Sequence, residues 1–139
     1  NIAPAPMENV MVASPYIEQV VVIGDKRNFI SALIVPAFEA VEAYLAENDK
    51  EIASHAALVE HSDVIALISK EVNTAMETFS KYERVKKFAL LPRLLTLEKG
   101  ELTPTLKVVR RSVLSNFDEY VENMYSDVNS KNEEEFIGG

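Results

Sequence analysis

The chain has 139 residues, 47% of them apolar, and a formal net charge of −8, which suits one domain with a modest core and argues against general nucleic-acid binding. No apolar run reaches the length of a membrane span, and no basic-then-apolar segment opens the chain. The absence of cysteine excludes a disulfide framework and any thiolate-ligated zinc or iron–sulfur centre, and His55 and His61 are poorly spaced for one helix face, so no metal site is expected.

The chain opens without an initiator Met on "NIAPAPMEN", a loop entering a helix, and this predicts a piece of something longer. Pro4 and Pro6 suit a helix's first turn, and a short helix over 7–13 is expected to end before Pro15. "IEQVVVIGD" (17–25) and "FISALIVP" (29–36) are β-branched runs closed by Gly24-Asp25 and Pro36, so each reads as a strand. The short polar link between them predicts an antiparallel hairpin. A helix over 37–48 carries Phe38, Val41, Tyr44 and Leu45 on one face, and a short helix is expected within 49–61. Ser62 or Asp63 is placed to cap a longer helix to about Phe79, with a stripe of Val64, Ile68, Val72, Ala75 and Phe79. "RVKKFALLP" (84–92) reads as a third strand. "LLTLE" and "GELTPT" predict a short ribbon turned at Glu98-Lys99-Gly100. A last helix over 109–125 should bury Val113, Phe117, Tyr120, Val121 and Met124, leaving 127–139 as a polar, frayed tail. The sum is an α+β domain: a small, mostly antiparallel sheet covered by helices.

Charge is unevenly spread. Residues 81–111 hold nine Lys or Arg against three acids, a local +6, while the remainder sums to −14. Such an island suits a local anion such as a phosphate, or else is a solvated face. Within it, "GELTPTLKVVRR" (100–111) stands out. Pro104 stiffens the approach to Lys107, and Gly100 permits a tight turn before it. If the last helix starts near Lys107, then Lys107, Arg110 and Arg111 gather at an end where the helix dipole disfavours cations, an arrangement that suits a phosphate. If it starts later, the arginines reach solvent. No GxGxxG, GxxxxGK[ST] or GxSxG motif is present, and no Ser/His/Asp set can be named. The run Glu133–Glu135 reads as solvated tail, and Asp25-Lys26-Arg27 as a hairpin tip.

The ordered set "NIAPAPMENVMVASPYIEQVVVIGDKRNFISALIVP" and, far downstream, "LTPTLKVVRR" resembles the C-terminal domain of long-chain fatty acid–CoA ligases, in the adenylate-forming (AMP-binding) superfamily. The likeness covers about residues 1–125. It implies a lid (1–126) hinged to a large N-terminal domain that binds ATP and the fatty acid. The lid presents one face for adenylation and rotates to present another for thioester formation. Lys107 matches the family's lysine and is implied to meet the fatty-acid carboxylate and the ATP α-phosphate. Thr103, Thr105, Arg110 and Arg111 are taken as cofactor-binding residues, the threonines also aiming Lys107 and the arginines meeting phosphate or helping domain docking. Leu106 departs from the superfamily, where many members place Gly before the lysine. The implied ligands are ATP with Mg²⁺, CoA and a fatty acid. Lys86 and Lys87 either meet CoA phosphates or are surface lysines flanking a strand. The hinge residue, a Gly-rich loop and the nucleotide-binding motifs are implied to precede Asn1, so the chain alone is expected to be inactive. The expected compartment is the cytoplasm; peripheral contact with the inner membrane face stays open because the implied substrate is a lipid. The alternative is a free-standing α+β ligand-binding or regulatory module.

Overall fold

A computed structural model describes residues 3–126; the predicted tail lies outside them. The elements run α1 (Pro4–Val12), β1 (Ile17–Ile23), β2 (Ile30–Pro36), α2 (Phe38–Glu47), α3 (His55–Leu58), α4 (Ser62–Met76), β3 (Val85–Leu90), α5 (Arg110–Asn116) and α6 (Asp118–Tyr125). The α+β expectation holds. The sheet has the order β1-β2-β3, with β1–β2 antiparallel and β2–β3 parallel. Antiparallel pairing therefore holds for the hairpin only. The parallel ladder follows because α2, α3 and α4 form the crossover that carries the chain back to the same end.

Two apolar layers sandwich the sheet. Alternate strand residues point to opposite faces, so Val20, Val22, Ala32 and Ile34 join α1, α2 and α4 in one core. Val21, Ile23, Leu33 and Val35 join Val113, Phe117, Val121 and Met124 of the C-terminal segment in the other. This explains why β2 is buried at every position: a central strand covered on both faces reads as a continuous apolar run.

Several boundaries differ from expectation for physical reasons. Helix α1 begins at Pro4 rather than near Met7; the first N–H groups of a helix have no intrahelical partner, so Pro4 and Pro6 cost it nothing. The cap of α4 is His61, whose Nδ1 accepts the Asp63 N–H at 3.0 Å, rather than Ser62 or Asp63. His55 stacks on Phe38 with ring centroids 3.8 Å apart, so both histidines serve the fold. The single C-terminal helix is two, broken at Phe117 (φ −114°, ψ 30°). Asp118 and Glu119 then fall in the first turn of α6, where acids favour a new helix start.

Candidate functional site

The segment between β3 and α5 carries the lysine. The expected ribbon is replaced by a tight turn: the Gly100 N–H donates to Leu97 O and the Glu101 N–H to Thr96 O, with Gly100 at φ 73°. The bridging pair instead is Leu102 with Val108, so the hairpin closes around Lys107. Inside it the Leu106 N–H donates to Thr103 O at 2.7 Å and the Thr103 N–H to Lys107 O at 2.8 Å. Pro104 occupies the position where a fixed φ near −65° suits such a turn. Leu106 follows with φ 66°, a left-handed residue of the kind that three-residue hairpin loops usually fill with glycine. That is the physical reason glycine suits the place before the lysine.

The two threonines build the loop. Thr103 Oγ1 accepts the Lys107 N–H at 3.0 Å and shares a hydrogen bond with Thr105 Oγ1 at 3.2 Å. Lys107 itself is exposed. Among the described residues its ammonium has no hydrogen-bond acceptor or carboxylate in reach. Its chain neighbours Leu106 and Val108 are also exposed, at 71% and 37%, as are Leu94 and Leu97, at 49%, in the segment after β3.

The neck of this hairpin is held by a buried carboxylate that sequence reasoning missed. Glu101 is fully buried. Its Oε1 accepts from Arg93 Nη1 at 2.8 Å and from the Thr96 N–H at 3.0 Å. Its Oε2 accepts from Arg93 Nη2 at 2.7 Å and from Asn116 Nδ2 at 2.9 Å. The bidentate Arg93 fork, followed by Asn116 and the Thr96 amide, outweighs burial and lowers the Glu101 pKa to about 2. Arg93 also lies over the Phe117 ring, 4.6 Å from its centroid. The available signal was thin: Glu101 is one of three acids in the basic island, and no local pattern marks it as buried.

The other cations separate. Helix α5 starts at Arg110, so Lys107 lies in the preceding loop and the three cations do not gather at one helix end. Arg110 Nη1 donates to Val22 O at 2.7 Å and pairs with Glu8 at 3.1 Å. Glu8 in turn accepts the Val22 N–H at 2.8 Å. The pair thus satisfies the free edge of β1 and offsets the unfavourable helix dipole at Arg110. Arg111 is exposed. Lys87 is 1% exposed; it donates to Met124 O at 3.0 Å, at the C-terminal end of α6, and lies over the Phe29 ring. Both readings of Lys87 from sequence, as a surface lysine or a contact for external phosphates, are overturned: the sheet interior holds it against a helix C-terminus, where a cation is favoured. Lys86 is exposed, with its ammonium on Lys81 O. Of the nine cations in the island, Arg84, Lys86, Lys87, Arg93 and Arg110 hold carbonyls or carboxylates of the chain itself. Among the described residues no cluster of three His, Cys, Asp or Glu could hold a metal, and no helix is long and apolar enough to cross a membrane.

Residues 1–129 match the family model of the AMP-binding enzyme C-terminal domain. The chain is similar to a long-chain-fatty-acid–CoA ligase (FadD15) of Mycobacterium tuberculosis, 41% identical over 91% of this chain and 21% of the relative. It is similar to human long-chain-fatty-acid–CoA ligase 1, 30% identical over 91% of this chain and 18% of the relative. The chain therefore spans about a fifth of the length of these curated relatives. Its fold matches the A-PCP didomain of a carboxylic acid reductase from Segniliparus rugosus, solved in complex with AMP. The TM-score is 0.71 at 21% identity, covering 92% of this chain and 16% of that one.

Proposed function

Because the chain belongs to the family of AMP-binding enzyme C-terminal domains, we propose that it is the lid of an ATP-dependent long-chain fatty acid–CoA ligase. It carries the adenylation lysine, Lys107, to a large N-terminal domain of the same polypeptide. The observation that carries this reading is the state of Lys107: an exposed ammonium, unneutralised by any described side chain, on a stiff hairpin tied to a buried ion pair. The exposed Leu106 and Val108 on either side of it in the chain, with exposed Leu94 and Leu97 elsewhere in the same β3–α5 segment, suit a surface that docks against another domain.

The chemistry needs such a cation. A fatty-acid carboxylate oxygen attacks the α-phosphorus of ATP, the new acyl–phosphate bond forms, and pyrophosphate leaves with the electron pair of the broken P–O bond. Two anions must approach, and negative charge builds on the phosphoryl oxygens. A positioned ammonium offsets both costs, and removing one such contact typically lowers the rate about 10²–10³-fold. Lys107 can then withdraw as the lid turns, and the CoA thiol attacks the acyl carbon with AMP as leaving group. Thr103 and Thr105 act by shaping the loop. Arg111, exposed one residue into α5, is assigned to phosphate or docking contacts, whereas Arg110 is occupied by Glu8 and Val22. Magnesium is assigned to the nucleotide, because the described residues offer it no cluster. The proposed compartment is the cytoplasm, with peripheral contact at the inner membrane face where the lipid substrate partitions.

The test is Lys107→Ala in the full-length parent, read by ATP–pyrophosphate exchange driven by a long-chain fatty acid. Exchange should fall about 10²–10³-fold. Exchange at the wild-type rate overturns the assignment.

A further inference from the structure

The lysine hairpin raises a problem of precision. From Pro104 to Val108 every residue is exposed, so no side chain in the loop itself is anchored in either core. A catalytic cation so placed would swing through several ångströms unless something below fixes the hairpin's direction. A misplacement of about 1 Å can cost about 10²-fold in rate.

We propose that Glu101, gripped by Arg93, is the positioning residue for Lys107, a role that rests on the adenylation reading above. Glu101 is the point where the hairpin meets the core. Its carbonyl accepts the Val109 N–H at 2.8 Å, and its N–H donates to Thr96 O at 3.0 Å, so its backbone joins both arms of the loop and the preceding turn. Its carboxylate reaches in three directions: to Arg93 just after β3, to the Thr96 amide, and to Asn116 at the end of α5. Arg93 itself lies over the Phe117 ring at the break between α5 and α6. Strand end, turn and helix end are therefore referred to one carboxylate, and the hairpin inherits their rigidity.

The geometry also specifies why a carboxylate is required. Four N–H donors converge on its two oxygens, two on each. A glutamine in the same place would turn an NH₂ donor toward two of those donors, breaking two of the four hydrogen bonds that meet on this fully buried side chain. The isosteric change Glu101→Gln thus loosens the neck without removing bulk.

The experiment is a double-mutant cycle in the full-length parent with Glu101→Gln and Lys107→Ala. The readouts are fatty-acid-driven pyrophosphate exchange and thioester formation from pre-made acyl-AMP. Glu101→Gln alone should lower the exchange kcat roughly 10- to 10²-fold with little change in the KM for ATP, and leave thioester formation near the wild-type rate. In the Lys107→Ala background it should cause no further loss, because a positioning residue has nothing left to position. The inference is overturned if Glu101→Gln leaves exchange unchanged, or if its loss multiplies in full with that of Lys107→Ala, as a merely structural defect would. Exchange unaffected by Lys107→Ala removes the adenylation reading and this inference with it; exchange lost in Lys107→Ala but intact in Glu101→Gln removes the inference alone. Should Glu101→Gln fail to fold, Arg93→Lys, which keeps the charge but loses the fork, enters the same cycle with the same criteria.

Discussion

Leu106 holds a left-handed backbone at φ 66° with its side chain in solvent. An L-residue there costs about 1–2 kcal/mol, and glycine would recover part of that, less its larger unfolded-state entropy. Leu106→Gly should therefore raise the urea midpoint modestly, while Leu106→Val, β-branched and worse suited to positive φ, should lower it. A second residue-scale prediction concerns Lys87, which is buried against α6 and donates to Met124 O. Lys87→Ala removes a buried stem and a helix C-terminal partner together, and should cost about 2–4 kcal/mol in chemical denaturation. Lys87→Met, which keeps the stem, should cost less. The two lysines show what a sequence can say about single residues. The tight turn before Lys107 was legible because Gly100 and Thr-Pro-Thr constrain the backbone there locally. Lys87 was not, because its burial depends on α6, more than thirty residues away, and adjacent Lys86 and Lys87 look alike until strand alternation sends one inward.

At the scale of elements, the neck of the hairpin is an acid-sensitive joint. The Glu101 pKa falls from an ordinary 4.5 to about 2 in the fold. A depressed carboxylate pKa contributes stability that is complete above about 4.5 and is lost as pH drops toward about 2, here on the order of 3 kcal/mol. Urea unfolding at pH 6 and pH 3 should show the larger part of this loss, about 2 kcal/mol, in the wild type and a clearly smaller one in Glu101→Gln. Equal losses would place the acid sensitivity elsewhere. The second joint is Arg110 with Glu8, which clamps α5 and α1 onto the edge of β1. Arg110→Ala should destabilise by about 1–2 kcal/mol, and Arg111→Ala, on an exposed site, by less than about 0.5 kcal/mol. Strands and long helices were readable because period and punctuation are local signals. The misread ribbon and the split C-terminal helix were not, because each is decided by long-range bonds. Glu101 draws its segment down to Arg93 and Asn116, and the bend at Phe117 carries no Gly or Pro to announce it.

At the scale of the whole molecule, an acidic chain turns much of its basic island inward and leaves Lys107 and Arg111 exposed near the start of α5. Charge counted along the sequence left a local anion site and a solvated face both open; in the fold Arg84, Lys87, Arg93 and Arg110 hold groups of the chain itself, while Lys81, Lys86, Lys99, Lys107 and Arg111 are exposed, Lys107 within its hairpin loop. That placement of Lys107 suits a lid that inserts one charge into a site built elsewhere, and it predicts that the 139-residue chain alone makes no acyl-CoA from fatty acid, ATP and CoA. The central claim is that Lys107 serves the first half-reaction and is withdrawn for the second. The most direct test is the ratio of the two half-reactions in the full-length Lys107→Ala parent, with pyrophosphate exchange set against thioester formation from pre-made acyl-AMP under one set of conditions. The account predicts that the ratio falls about 10²–10³-fold, through exchange alone. A ratio that stays at the wild-type value, whether both steps survive or both fall together, would contradict it.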